Sequence, residues 1–268
     1  MAPVAIIDDV PMSVVVPSMD LQAVAGVDLT GVEAFADLPD DARERFALAA
    51  TIADLAKDEE ASGFALAMII EGEVDVAATI VDAPAARYQV GAVLRTQGTV
   101  DQEVPIRLIC ASERASIATW NDEAVADAFR TCPWVEDDLR AAANQMQALV
   151  GITMGPLGER LDKSIRDQVT SRLEVRGLSA GEIVVAQGQP MPGLVLVGVG
   201  ELELVIGDEV SGTIGPGEFL FASQVLSSGR APSTARVAKG GALIMCASRA
   251  VSQELLVTCP PLLELFAG

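Results

Sequence analysis

The chain has 268 residues, half of them hydrophobic, which is enough to bury a substantial core and fits two modest domains better than one. Eighteen Lys and Arg stand against 38 Asp and Glu, and the resulting net charge of −20 repels phosphate backbones and anionic headgroups, so nucleic acid and membrane surfaces are excluded as expected partners. Histidine is absent and aromatic residues make up only 4%, which removes the usual general base of hydrolases, most zinc sites and any stacking platform for bases; the expectation is a protein that is not an enzyme, with no catalytic residue, no cofactor and no metal.

From Met1 to about Val32 the sequence is apolar but broken by Pro3, Pro11, Pro17, Gly26 and Gly31, and reads as an extended or irregular arm over residues 1–32. It has no basic start and no run near the roughly 20 apolar residues of a membrane span, so a cytoplasmic protein is expected. The β-prone stretch Val14, Val15 and Val16 suits strand addition to a sheet edge of the same chain, another subunit or a partner. A helix is predicted next, capped by Asp37 or Asp40 with Pro39 in its first turn and Phe46, Ala49, Ala50 and Ala53 on its apolar face. After Gly63 the runs FALAMII, VDVAATIV, YQVGAVL, IRLICA and ASIATW have the spacing of a barrel or sandwich. Asn121 caps a helix that stops at Cys132-Pro133, and a further helix sets Val135, Leu139, Ala142, Met146 and Leu149 at alternating steps of four and three, a seam for a neighbouring helix.

The order then recurs: Leu161 to Leu173 is helical, strands run from Glu174 to about Cys246, and a short helix from Ala250 to Val257 ends at Cys259-Pro260. Pro105 and Pro232 stand 127 residues apart (232 − 105), and the same offset pairs Ala111 with Ala238, Ile117 with Ile244 and Thr131-Cys132-Pro133 with Thr258-Cys259-Pro260. At 128 (200 − 72), Gly72-Glu73 pairs with Gly200-Glu201. A shared tripeptide in register with strands argues for an internal duplication, in which the four widely spaced cysteines are buried apolar thiols.

The run Gly181 to Gly200, GEIVVAQGQPMPGLVLVGVG, supplies glycines at the spacing of tight strand-to-strand turns. On this run the second half, about Leu161 to Phe266, resembles the cyclic nucleotide-binding domain, the helix-flanked β-roll of bacterial cyclic-AMP receptors and kinase regulatory subunits; Met191 stands where that family has a small residue. The resemblance implies a fold that is mainly β with flanking helices: two cyclic nucleotide-binding-like β-rolls of double-stranded jelly-roll type in tandem, a degenerate copy over 33–150 and a second over 151–268. The first half resembles the family only through its duplication, and the stretch from Phe46 to Gly63 is read as too short for the complete first strands.

In that family a phosphate cassette like F-G-E-L-A-L, followed by P-R-T-A-T-V, holds the ligand through helix amides, an Arg on the phosphate and a Glu on the ribose. Here Phe221 stands in place of the Gly, Ala222 in place of the Glu and Ser233 in place of the Arg. In the first copy Arg95 and Thr96 lie in the cassette and Ile106 at the phosphate-Arg position, with Arg95 read as a solvated surface residue. Arg230 and Arg236 lie close by, but strand alternation turns Arg236 away from Ser233. The resulting expectation is a regulatory or scaffolding protein that has lost cyclic nucleotide binding and acts through protein–protein contacts or self-assembly. Its candidate contact residues are Val14, Val15, Val16, Phe219, Phe221, Leu226, Leu265 and Phe266; an equal alternative has the C-terminal residues covering the empty pocket as an apolar lid. A second alternative is a small-ligand sensor using the altered second pocket. The acidic clusters Asp58-Glu59-Glu60 and Glu136-Asp137-Asp138 lack calcium-loop spacing and read as solvated.

Overall fold

The computed structural model describes residues 27–267. Val14, Val15 and Val16, with most of the arm expected over 1–32, lie outside the described residues. The last part of that arm follows no regular element, yet Leu29 is buried and Val27 and Val32 pack beside it against the first half of the chain. A 3-10 turn at Glu33–Phe35 then leads into α1 (Asp40–Leu48). Pro39 is the N-cap rather than part of the first turn, and no side chain caps the helix. The helix also ends sooner than its alanines predict: Ala49 is its C-cap and Ala53 already lies in a strand.

The predicted sandwich is present and larger than expected. β1 (Thr51–Ala56), β2 (Glu60–Ser62), β3 (Leu66–Glu71), β4 (Glu73–Ala78), β5 (Ala86–Gln89), β6 (Val93–Arg95), β7 (Ile106–Cys110) and β8 (Arg114–Trp120) pair in two antiparallel sheets of order β1-β8-β3-β6 and β2-β7-β4-β5. This corrects the reading of Phe46 to Gly63 as too short. β1 has a period of two, with Ala53 and Leu55 buried either side of exposed Asp54, and a turn at Asp58 (φ 66°) folds the chain back into β2 within three residues. The charged run Lys57 to Glu60 is the turn between two strands.

Helices α2 (Asp122–Phe129), α3 (Pro133–Ile152), α4 (Pro156–Arg160) and α5 (Lys163–Thr170) follow, then β9 (Glu174–Leu178), β10 (Ile183–Val185), β11 (Val195–Ile206), β12 (Glu209–Ile214), α6 (Ala222–Leu226), β13 (Thr234–Cys246), α7 (Arg249–Thr258) and α8 (Pro260–Ala267). The pairing order β10-β13-β11-β12 repeats β2-β7-β4-β5, while β9 on the far end of β13 repeats β1 on β8. Gly200 at φ 80° lets β11 continue where Gly72 at φ 79° parts β3 from β4. A β-carbon on Gly72 would strike the Arg114 carbonyl, and one on Gly200 the carbonyl of Gly241, which is 127 residues after Arg114.

The helix ends match as well. Asn121 Oδ1 accepts from Ala124 N–H at 2.9 Å, and Ser248 Oγ, at the same offset, accepts from Val251 N–H at 3.4 Å. Cys132 and Cys259 are both buried, both precede a helix-opening Pro, and share a backbone conformation (φ −140°, ψ 61° and φ −127°, ψ 75°). Cys110 is buried too; Cys246 is half-buried, and all four thiols are free.

The two halves share one contiguous core. The inner faces of the first two sheets, the C-terminal part of α3, α5, α7, α8 and one face of β11 and β13 form a single apolar cluster. A second cluster fills the space between β10, β11, β12 and β13, and a third lies on the outer side of β3 and β8, where Phe35, Phe46, Phe129 and Trp120 pack ring against ring at 4.6–6.5 Å. The seam predicted on α3 is corrected: Val135, Leu139 and Met146 are buried, but Ala143 takes the inward place expected of Ala142, which is exposed. The C-terminal part of this face lies on β11 of the sheet, where the glycines of the strand admit a helix at close range.

Candidate functional site: the two cassette regions

In the second half the chain enters the cassette at Gly217 (φ 83°), whose N–H donates to Val197 O at 2.8 Å, as Gly91 N–H donates to Ile69 O at 2.9 Å in the first half. Gly217 is pressed against Gly155 at the N-terminus of α4: a β-carbon on Gly155 would stand 2.8 Å from the Gly217 Cα. Phe219 bridges to Leu196, Leu220 is buried, and Phe221 caps α6 in the left-handed conformation (φ 49°, ψ 49°). A flexible glycine suits that conformation; here a bulky residue occupies it at a cost of about 1–2 kcal/mol.

Ala222 opens α6, and Ser233 is buried just before β13. The arginines nearby are engaged elsewhere. Arg236 pairs with Glu203 across β11 and β13, Nε to Oε2 at 3.2 Å, while Ala235 and Val237 on either side of it point into the core; its side chain faces away as strand alternation predicts. Exposed Arg230 donates to Gly188 O at 2.7 Å, closing the turn before Met191, whose side chain is buried among the core residues of this half.

The C-terminal end closes over this region. Phe219 and Phe266 meet edge to face with ring centroids 4.6 Å apart, and α8 packs on α6 and α4. Of the expected contact residues, Phe266 is therefore internal, Phe219, Phe221 and Leu265 are half-buried, and Leu226 keeps its side chain partly in water. Val225 packs against the core on both sides of α6.

The first cassette region is rebuilt further. No helix forms between β6 and β7; a loop over 96–105 takes its place. Polar side chains of α3 hold it. Gln147, almost fully buried, accepts from Val104 N–H at 2.8 Å and donates to Thr96 O at 2.6 Å; Asn144 accepts from Thr99 N–H at 2.9 Å, and Arg140 Nε donates to Gly98 O at 2.7 Å. At its tip Asp101 N–H donates to Gly240 O at 3.1 Å, so this loop joins the two halves. The sequence reading missed Gln147, Asn144 and Arg140, because nothing local marks a helix polar residue whose partner lies 40 or more residues earlier. Thr96 lies at the root of this loop, and Ile106 is buried in the core.

Arg95 is not the solvated residue expected. It is 5% exposed; its Nη1 donates to Ala65 O at 2.7 Å, and Nη2 lies 3.7 Å from Asp122 and 3.5 Å from Glu136 at the starts of α2 and α3. Its position on β6 beneath those two helices buries it, so it ties them to the sheet. Two other groups show the same burial in their acid–base behaviour: burial raises the Tyr88 phenol above its ordinary range, and it likewise raises the Cys246 thiol against an opposing pull from Arg176.

No family model and no curated protein matches the chain. Solved structures do. A regulatory subunit of a cAMP-independent protein kinase A from Trypanosoma brucei matches over 87% of this chain and 83% of its own, at 14% identity and a TM-score of 0.39. The corresponding Trypanosoma cruzi subunit bound to guanosine matches over the same shares at 14% identity and 0.37. The Thermus thermophilus catabolite activator protein matches over 42% of this chain and 55% of its own, at 23% identity and 0.37. These neighbours are regulatory proteins. No described helix is long and apolar enough to cross a membrane.

Proposed function

We propose that the chain is a tandem of two cyclic nucleotide-binding-like rolls, over 33–150 and 151–268, that has given up cyclic nucleotide binding and serves as a non-catalytic regulatory or scaffolding protein working through protein contacts. The repeated strand order, the paired caps at Asn121 and Ser248 and the paired Cys132 and Cys259 support the duplication.

The observation that carries the loss of ligand is the second cassette itself. At the positions the family resemblance assigns to the ligand, Ala222 and Ser233 offer neither carboxylate nor guanidinium, and the nearby Arg230 and Arg236 are held by Gly188 O and Glu203. An arginine–phosphate contact in a desolvated site is worth about 2–5 kcal/mol, and backbone amides alone do not replace it. Calorimetric titration with cyclic AMP and cyclic GMP tests the reading: no binding heat is expected, and a dissociation constant below about 10 µM, near −7 kcal/mol, would overturn it.

A further inference from the structure

A groove of about 680 Å³ runs beside α3 at the end opposite its contact with β11. Its floor is apolar, from Val32, Val135, Leu139 and Ala142, and every charged residue lining it is acidic: Glu33, Asp37 and Asp138, all exposed. Val135, Leu139 and Ala142 are the first three positions of the four–three stripe that in sequence calls for a helical neighbour. In the structure the later part of that stripe is covered by the sheet and Val135 and Leu139 are buried against the aromatic cluster, showing only their edges in the groove floor, while Ala142 and half-buried Val32 stand open to it.

We infer that this groove receives a basic amphipathic helix of a partner protein, its apolar stripe on Val32 and Ala142 and its Lys or Arg residues against Glu33, Asp37 and Asp138. The proposal rests on the reading that the chain works through protein contacts and adds the partner's chemistry; it holds whether or not the second roll takes a nucleotide. Charge selects the occupant. Residues 1–26 of the chain carry Asp8, Asp9 and Asp20 with no Lys or Arg, so their charge matches that of the acidic rim and opposes docking there. A second copy, at a net charge of −20, is disfavoured in the same way. An amphipathic helix in an apolar groove is read through anchors at three- and four-residue steps, which is the spacing α3 presents.

The test uses the full chain and two fluorescent 18-residue helical probes, identical in a leucine stripe but flanked by lysine in one and glutamate in the other. Anisotropy should show saturable binding of the lysine probe that weakens with salt, and no binding of the glutamate probe. Ala142→Arg, at an exposed position that leaves folding intact, and the double variant Glu33→Lys with Asp138→Lys should each weaken the lysine probe about tenfold or more. Asp208→Lys with Glu209→Lys changes the net charge equally at the distant β11–β12 turn and should leave binding within about twofold. Equal losses in both double variants, or equal binding of both probes, would show attraction to net charge alone and overturn the proposal, as would tighter probe binding after removal of residues 1–26, which would make the chain its own occupant. None of these outcomes bears on the nucleotide titration.

Discussion

Gly151 of α3 and Gly198 of β11 touch backbone to backbone: a β-carbon on Gly198 would stand 2.7 Å from the Cα of Ala148, and one on Gly151 would fall on the Gly198 carbonyl. Helix and strand can approach this closely only because neither position carries a side chain. Gly151→Ala is therefore expected to push α3 off β11 and to cost more than about 2 kcal/mol, read as a fall in melting temperature. A melting temperature within a degree of the parent would contradict the packing described.

The two turn glycines of the second half separate conformational strain from collision. Gly188 (φ 75°) has open space where a β-carbon would stand, whereas Gly200 (φ 80°) has the Gly241 carbonyl there and the Ala242 Cα at 3.1 Å. Gly188→Ala should cost about 1–2 kcal/mol, from the left-handed backbone alone. Gly200→Val should cost well above about 2 kcal/mol, from strain and collision together. Circular dichroism melts in which the two variants lose equal stability would show that the collision is absent.

Phe219 and Phe266 provide a measure of how firmly the C-terminus is held. Truncating either to Ala should cost about 2–4 kcal/mol, and the double variant should cost less than the sum by about 0.5–1.5 kcal/mol, the coupling expected of an edge-to-face pair. Chemical denaturation of the four proteins in the cycle gives that coupling directly; strict additivity would place the two rings apart.

Gln147→Leu keeps the volume but leaves Val104 N–H and Thr96 O without their buried partner. The expected loss is about 2–3 kcal/mol, with faster amide exchange at Val104 as the local signature. Exchange at Val104 unchanged from the parent would mean that the loop holds its shape without α3.

Alkaline pH should weaken the fold at two marked places. Burial raises both the Tyr88 phenol, from 10.0, and the Cys246 thiol, from 9.0, so each stays protonated in the folded chain after its unfolded counterpart has ionised. Stability is then complete below about pH 8 and falls as pH rises past each ordinary value, because the unfolded chain binds fewer protons. Tyr88→Phe and Cys246→Ala should flatten the decline in melting temperature between about pH 8.5 and 10.5. An unchanged slope in the double variant would assign the decline to other groups.

How much was legible in the sequence follows from how local each signal is. Asn121 before Asp122-Glu123 and the Cys132-Pro133 and Cys259-Pro260 steps are features of neighbouring residues, and they place correctly the start of α2, the break before α3 and the end of α7. Strands β1 and β2 were missed because Lys57 to Glu60 outweighs the two-residue alternation of Ala53, Asp54 and Leu55. Arg95 was misread because its burial comes from α2 and α3 crossing over β6, an event recorded nowhere near residue 95. The same holds for Gln147, whose partners are Thr96 and Val104, and for Phe219, whose neighbour is 47 residues later (266 − 219).

Helix α3 runs from Pro133 to Ile152, so a boundary between residues 150 and 151 cuts it two residues before its end, at the glycine that meets β11. Its first turns close the aromatic cluster of the first half and its last turns join the apolar core that the two halves share. Neither half is thus a unit of melting on its own. Each half expressed alone would carry a raw apolar surface, and heat should take the whole molecule apart in one calorimetric transition instead of two.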